Sequence, residues 1–195
     1  MLYVGSLTST AILGRLLFNE RFTPKHILSL GLVITGLLFF VYPFGKDSLT
    51  LGILFGLMAG IFEGSSHVLR KLMKDVKREV IVFYQNCSAV IIATIFVLVS
   101  TEPFMRQFSI EGIIIAVIFG ALLVVIGYLL VYGFQNFDVN WGTIILATEV
   151  FFATVINAVF LKEIPTTLEV IGGLLIFSGT IVTSLRLGQK NKTKV

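Results

Sequence analysis

The sequence predicts an all-α fold: a polytopic helical membrane protein with seven transmembrane helices and an inverted-repeat architecture. Three observations predict it. First, 56% of the 195 residues are hydrophobic and 13% are charged, about half the charged share of an ordinary soluble domain. Second, the apolar residues gather into seven runs, each close to the roughly 20 residues needed to cross about 30 Å of hydrocarbon. Third, the runs are continuous, without the ten-residue alternation of a membrane barrel. A mean hydropathy of +0.96 is more than one aqueous core of this length can bury.

The spans are predicted over Leu2–Phe18, His26–Tyr42, Leu49–Leu69, Val80–Ser100, Ile110–Phe134, Trp141–Leu161 and Leu168–Leu185. Their ends carry stop and start signals. Pro24, Pro43, Pro103 and Pro165 all fall outside the runs, where a missing N–H does no harm. Thr23 before Pro24 is an N-cap with proline in the first turn. Thr166 and Glu169 have capping-box spacing. Ser109 and Asn140 stand where caps of the fifth and sixth spans belong.

Lysine and arginine set the orientation. Arg15, Arg21, Lys25, Arg70, Lys71, Lys74, Lys77, Arg78, Arg186, Lys190, Lys192 and Lys194 fall on one side; Lys46, Arg106 and Lys162 fall on the other. The basic side faces the cytoplasm, so the C-terminus is inside and the N-terminus outside. Trp141 is an interfacial anchor, as are Phe39, Phe40 and Tyr42.

Two stretches resemble each other, LLFNERFTPKHILSLGLVITG (Leu16–Gly36) and VFLKEIPTTLEVIGGLLIFSG (Val159–Gly179). At an offset of 143, Glu20 meets Glu163, Thr23 meets Thr166, Leu32 meets Leu175 and Gly36 meets Gly179. The first span then corresponds to the sixth. An odd number of crossings separates them, so the copies run in opposite senses, a recurring plan of secondary transporters. Two helix–turn–helix segments alike by composition are the alternative.

The loop glutamate, the capping threonine and the glycine-bearing last span, present twice, resemble the EamA-like transporters of the drug/metabolite transporter superfamily. The stretch LKEIPTTLEVIGGLLIFSGTIVTSL is the closest part. The resemblance implies two five-helix inverted repeats. On that plan residues 1–44 hold the last two helices of the first repeat, 45–187 a complete second repeat, and 188–195 a basic cytoplasmic tail. Three helices are then lacking. The chain is expected to be a fragment of a ten-helix protein, or a short form completed by another chain or a second copy.

The third span carries Gly52, Gly56, Gly60 and Gly64. At about 100° per residue these fall at roughly 0°, 40°, 80° and 120°, with Glu63 at roughly 20° and His67 at roughly 60°. Both ionisable groups therefore share the glycine sector. Small residues let another backbone approach where lipid supplies no hydrophobic drive, and the same face keeps Glu63 out of lipid. A carboxylate within a span marks a candidate site. Its roles are proton coupling, binding an amine-bearing substrate, or pairing with His67 one turn on. Glu149, with Gly142, Ala153 and Asn157 within about 80°, forms a second polar face. Tyr128 and Asn86 complete the candidates for substrate binding or proton coupling. Each has a plainer role: packing for the glycines and Tyr128, a helix-to-helix hydrogen bond for Asn86 and Glu149, a solvated helix end for His67. Glu20 and Glu163 are loop acids, expected to stabilise the N-terminus of the following helix.

Other classes lack support. The basic residues sit between spans, which speaks for topology and against nucleic acid. Cys87 stands alone, and His26 and His67 lie at different depths, so no disulfide or metal site is expected. No P-loop, H-E-x-x-H or nucleophile elbow is present, and no cofactor is called for. The expected partners are the bilayer and a small-molecule substrate. The expected function is secondary transport of a small metabolite, amino acid or amphipathic compound across the cytoplasmic membrane by alternating access, with export implied by the resemblance. The alternative is a non-transporting, partner-dependent subunit. Reporter tags placed after the second and the seventh spans should lie on opposite sides of the membrane; both tags in one compartment would exclude the predicted topology.

Overall fold

The computed structural model describes residues 1–20, 22–41, 49–99 and 109–192. Tyr42, Pro43, Lys46, Pro103 and Arg106 lie outside them, as do the boundary between residues 44 and 45 and the last three residues. Among the described residues the chain is helical, with no strand. The elements are α1 (Leu2–Phe18), α2 (Pro24–Val41), α3 (Leu49–Leu72), α4 (Arg78–Val99), α5 (Ile110–Asn136), α6 (Val139–Leu146), α7 (Thr148–Ile156), a π-helical turn (Asn157–Leu161) and α8 (Thr167–Lys192). Four stretches are long and apolar enough to cross a membrane: Leu51–Leu72, Arg78–Val99, Ile110–Asn136 and Val139–Leu161. Leu2–Phe18, Pro24–Phe40 and Thr167–Val182 are shorter apolar helices.

The structure has a helix at each of the seven predicted spans, and two departures from the predicted bounds stand out. The sixth span is interrupted. At Ala147 the ladder tightens, with Val150 N–H donating to the carbonyl three residues back (3.3 Å), and it widens again at the π turn. The last helix runs to Lys192, past the predicted end at Leu185.

The described residues form two compact units, Met1–Leu69 with Phe137–Val195, and Arg70–Asn136. In the first unit α2 and α8 run antiparallel through small residues. A Cβ on Gly36 would lie 2.5 Å from the carbonyl oxygen of Gly172 and 2.8 Å from Ile176. A Cβ on Gly179 would lie 2.9 Å from the Ser29 carbonyl and 2.8 Å from Val33. The Ser29 hydroxyl donates to the Gly179 carbonyl. In lipid, such contact stands in for the hydrophobic drive that water would supply. Around this crossing Leu7, Val33, Leu37, Trp141, Ile144, Ala147 and Ile176 make one buried cluster.

The turns after α1 and after the π segment are alike. Asn19 and Lys162, 143 residues apart, are the two non-glycine residues of positive φ among the described residues (52° and 57°). Glu20 N–H donates to Gly14 (3.3 Å) and Glu163 N–H to Asn157 (3.4 Å), again at that spacing. The caps match too. The Thr23 hydroxyl accepts from His26 N–H at 3.4 Å, and the Thr166 hydroxyl from Glu169 N–H at 3.3 Å. The Glu169 carboxylate returns the bond to Thr166 N–H at 2.7 Å, closing the capping box. Ser109 caps α5 as expected, accepting from Gly112 N–H at 3.0 Å. Asn140 does not cap α6. It is the second residue of that helix, and Asp138 holds the cap position.

In the second unit Ile81, Val82 and Val131 join α4 to α5, with Tyr128 packed on them. The other faces of these helices carry exposed Ile, Val, Leu and Phe, as lipid-facing helices do.

Gly36→Leu should lower the thermal midpoint of the detergent-solubilised chain, at a cost of about 1–3 kcal/mol for forcing apart a close crossing. Gly31 on the same helix has nothing within 4 Å of a Cβ; Gly31→Ala should be neutral or stabilise by up to about 1 kcal/mol. Equal midpoints for the two variants would contradict the crossing.

Candidate functional site

Within the first unit a cavity of about 510 Å³ is lined by residues of α1, α2, α7, the π turn and the start of α8. Glu149, Glu163 and Glu169 contribute carboxylates, Tyr3 a hydroxyl and Asn157 an amide, with Phe40 among the apolar walls. Among the described residues its lining holds these three acids and no basic side chain, a set whose potential favours a cation or a hydrogen-bond donor.

The helices that hold these groups run antiparallel. Glu20, just after α1, accepts from Val139 N–H (2.9 Å), Asn140 N–H (3.3 Å) and Asn140 Nδ2 (2.6 Å) at the start of α6. At the other end of α1, the Tyr3 hydroxyl donates to Glu149 Oε2 at 2.5 Å. The α6 N-terminus offers orphan amides and a positive dipole end, and the Glu20 carboxylate supplies acceptor and countercharge together. Glu20 therefore serves a helix 119 residues away, where the sequence suggested the helix that follows it. Beside it His26 packs edge-on between Phe22 (5.0 Å) and Trp141 (4.5 Å). Arg15 lies over the Phe22 ring at 6.0 Å.

Glu149 is in the first turn of α7, just after the interruption at Ala147, and Asn157 opens the π turn. Thr154 and Ala153 between them also line the cavity. Of the sixth span, the regular turns of α7 and Asn157 at the start of the π turn line the cavity, while Ala147 is buried in the core cluster. π turns recur at functional sites.

On α3 the glycine stripe meets α1. Gly60 sits against the Leu2 carbonyl, Gly64 against the Ser9 hydroxyl and the Ser6 carbonyl, and Gly56 has Met1 3.2 Å from a Cβ. Gly52 has nothing within 4 Å and takes no part in this contact. On the same sector His67 is buried and Glu63 half-buried. Tyr3 interacts with both sequence-predicted acids, through a hydrogen bond with Glu149 and through the weaker field of Glu63.

Glu149, Asn157 and Glu163 thus share one cavity, and Glu63 is not among its lining residues. Tyr128 and Asn86 lie in the second unit. Asn86 Nδ2 donates to the Val82 carbonyl of its own helix (2.8 Å), and Tyr128 lies under the Arg78 guanidinium at 5.9 Å. The sequence reading missed Tyr3. A tyrosine in the first turn of a span reads as an interfacial anchor, and no local pattern ties it to a residue 146 positions later.

Residues 50–185 match the model of the EamA-like transporter family. No curated protein matches the chain.

Proposed function

The chain belongs to the EamA-like transporter family and is a multi-pass membrane protein of the drug/metabolite transporter type; from that premise we propose that it moves a small metabolite, amino acid or amphipathic compound by alternating access, with Glu149 in the substrate and coupling site. The observation that carries this reading is the Tyr3–Glu149 hydrogen bond in a cavity whose described lining includes three carboxylates. An ammonium or hydroxyl donor on a substrate can take over the carboxylate oxygen that Tyr3 holds. Exchange of that partner would couple occupancy to the position of α1 against α7. The field of Glu63 at Tyr3 supports a second acid that shares a proton or a substrate amine.

We further propose that α1–α2 and the sixth span with α8 are inverted copies. The matched αL turns, the matched caps and a self-mapping crossing support this. Under the offset of 143, Ser29 against Gly179 becomes Gly172 against Gly36, and Val33 against Gly179 becomes Ile176 against Gly36. A two-fold axis along the membrane plane would produce such pairs, and rocking of one copy against the other is the motion it permits. The cytoplasmic membrane, an inside C-terminus and export complete the reading.

The test uses the full chain in proteoliposomes, with a panel of amino acids and short amines and a pH-sensitive dye inside. The wild type should move at least one compound. Glu149→Gln should slow it roughly 10- to 100-fold, the weight of a lost charge-assisted hydrogen bond. Tyr3→Phe should slow it less. Unchanged rate and pH profile in Glu149→Gln and Glu63→Gln would remove both acids from the mechanism.

A further inference from the structure

Between α3 and α4 five residues, 73–77, join one apolar helix to the next. Both helices, and α5, are long and apolar enough to span a bilayer. So short a connection is held at the level of the lipid headgroups. A cavity of about 330 Å³ opens there, wholly within the second unit. Its charged lining is Lys74, Lys77 and Arg78 with Asp75 and Glu79.

Its floor is rigid. Gln135, from the end of α5, donates to the carbonyls of Met73 (3.0 Å) and Val76 (3.1 Å), tying down the turn. The same side chain accepts from Arg78 Nε at 3.3 Å, and the guanidinium lies over the Tyr132 ring at 4.5 Å. One edge and one face of Arg78 are thereby fixed, and its terminal nitrogens make no hydrogen bond among the described residues. A guanidinium held this way presents a planar fork that matches a phosphate. Both signs of charge surround the same small space, yet no salt bridge joins these five side chains.

We propose that this cavity holds the headgroup of a zwitterionic phospholipid, a phosphate diester that carries a primary ammonium. Lys74, Lys77 and Arg78 take the phosphate oxygens, and Asp75 and Glu79 take the ammonium. A headgroup with phosphate alone would satisfy the cations and leave two carboxylates facing its negative charge. The depth of the turn favours a lipid over a free phosphate compound, because the acyl chains of a lipid seated there run beside the bare apolar faces of α4 and α5.

The full chain is tested in mixed micelles that contain equal amounts of phosphatidylethanolamine and phosphatidylglycerol, and the lipid retained after washing is measured by mass spectrometry. The wild type should retain the ethanolamine lipid about fivefold over the glycerol lipid. Replacing Lys74 and Lys77 by alanine should reduce retention about fivefold per lysine. Asp75→Asn with Glu79→Gln should invert the preference while helix content and thermal midpoint stay those of the wild type. Equal retention of the two lipids by the wild type, or an unchanged preference in the Asp75→Asn, Glu79→Gln variant, overturns the proposal. Glycerophosphoethanolamine, which has the headgroup and no chains, should fail to displace the lipid at equal concentration; displacement would assign the site to a soluble compound and overturn the membrane source.

Discussion

The crossing of α2 and α8 is the constraint on which the first unit depends. Lipid gives apolar helices no reason to prefer each other to acyl chains. Association must come from close backbone contact and from hydrogen bonds that lipid cannot make. Gly36 against Gly172, and Gly179 against Ser29, supply the first; the Ser29 hydroxyl on the Gly179 carbonyl supplies the second. The other helices take their places from this pair. Thr180 of α8 reaches the Ile144 carbonyl of α6 at 3.5 Å, and Phe151 of α7 fills the space beside Gly173. Glu20 then fastens the end of α1 to the start of α6. Tyr3 and Glu149 come from helices positioned through that chain of contacts, so the site inherits its geometry from glycines that touch neither.

The same contacts account for where the sixth span departs from regular helix. Its first segment, α6, is buried on several sides, with Val139, Thr143 and Ile144 fully enclosed, and it is regular. Its second segment contributes Glu149, Val150, Ala153 and Thr154 to the cavity. Between the two segments the ladder tightens at Ala147, and the Thr148 hydroxyl bonds back to the Ile145 carbonyl at 2.5 Å. The ladder then widens at Asn157. Serine and threonine that bond to the preceding turn commonly accompany such distortions. Irregular backbone needs polar company or enclosure in a membrane; Ala147 has enclosure in the buried cluster, and Asn157 lines the cavity.

How much of this was legible in the sequence follows from the range of each signal. Helix positions were legible because span length and hydropathy act within 20 residues. The caps at Thr23, Ser109 and Thr166 were legible because their partners lie three residues on. Glu63 and Glu149 stood out because a carboxylate in an apolar run contradicts its surroundings. Tyr3 and the role of Glu20 were not legible: each acts on a group more than 100 residues away, and a tyrosine near a helix end or a glutamate in a loop has an ordinary local explanation. The interruption at Ala147 was hidden for a different reason. Its residues have no glycine or proline to mark the break. Gly52 shows the converse. The stripe has a perfect spacing, yet only the members opposite α1 have a contact to make.

Two ways of holding helices together in lipid coexist in this chain, and they leave different surfaces. Where small residues line the contact, as between α2 and α8 or α1 and α3, backbones meet along a length of helix, with side chains such as Val33, Ile176 and Ser9 packed directly on the glycines. Where they do not, as between α4 and α5, the shared core is three aliphatic side chains. There the helix ends do the joining, through Arg78 on Tyr132 and Gln135 on the turn carbonyls. A latch at the membrane surface leaves the helix faces below it open to acyl chains. The exposed Ile, Val and Phe of α4 and α5 are then faces for which lipid is the packing partner. The charged turn stands at the end of those faces, beside the polar latch that joins the two helices. A unit joined at its helix ends leaves more of its packing to the surrounding lipid than one joined along a glycine seam.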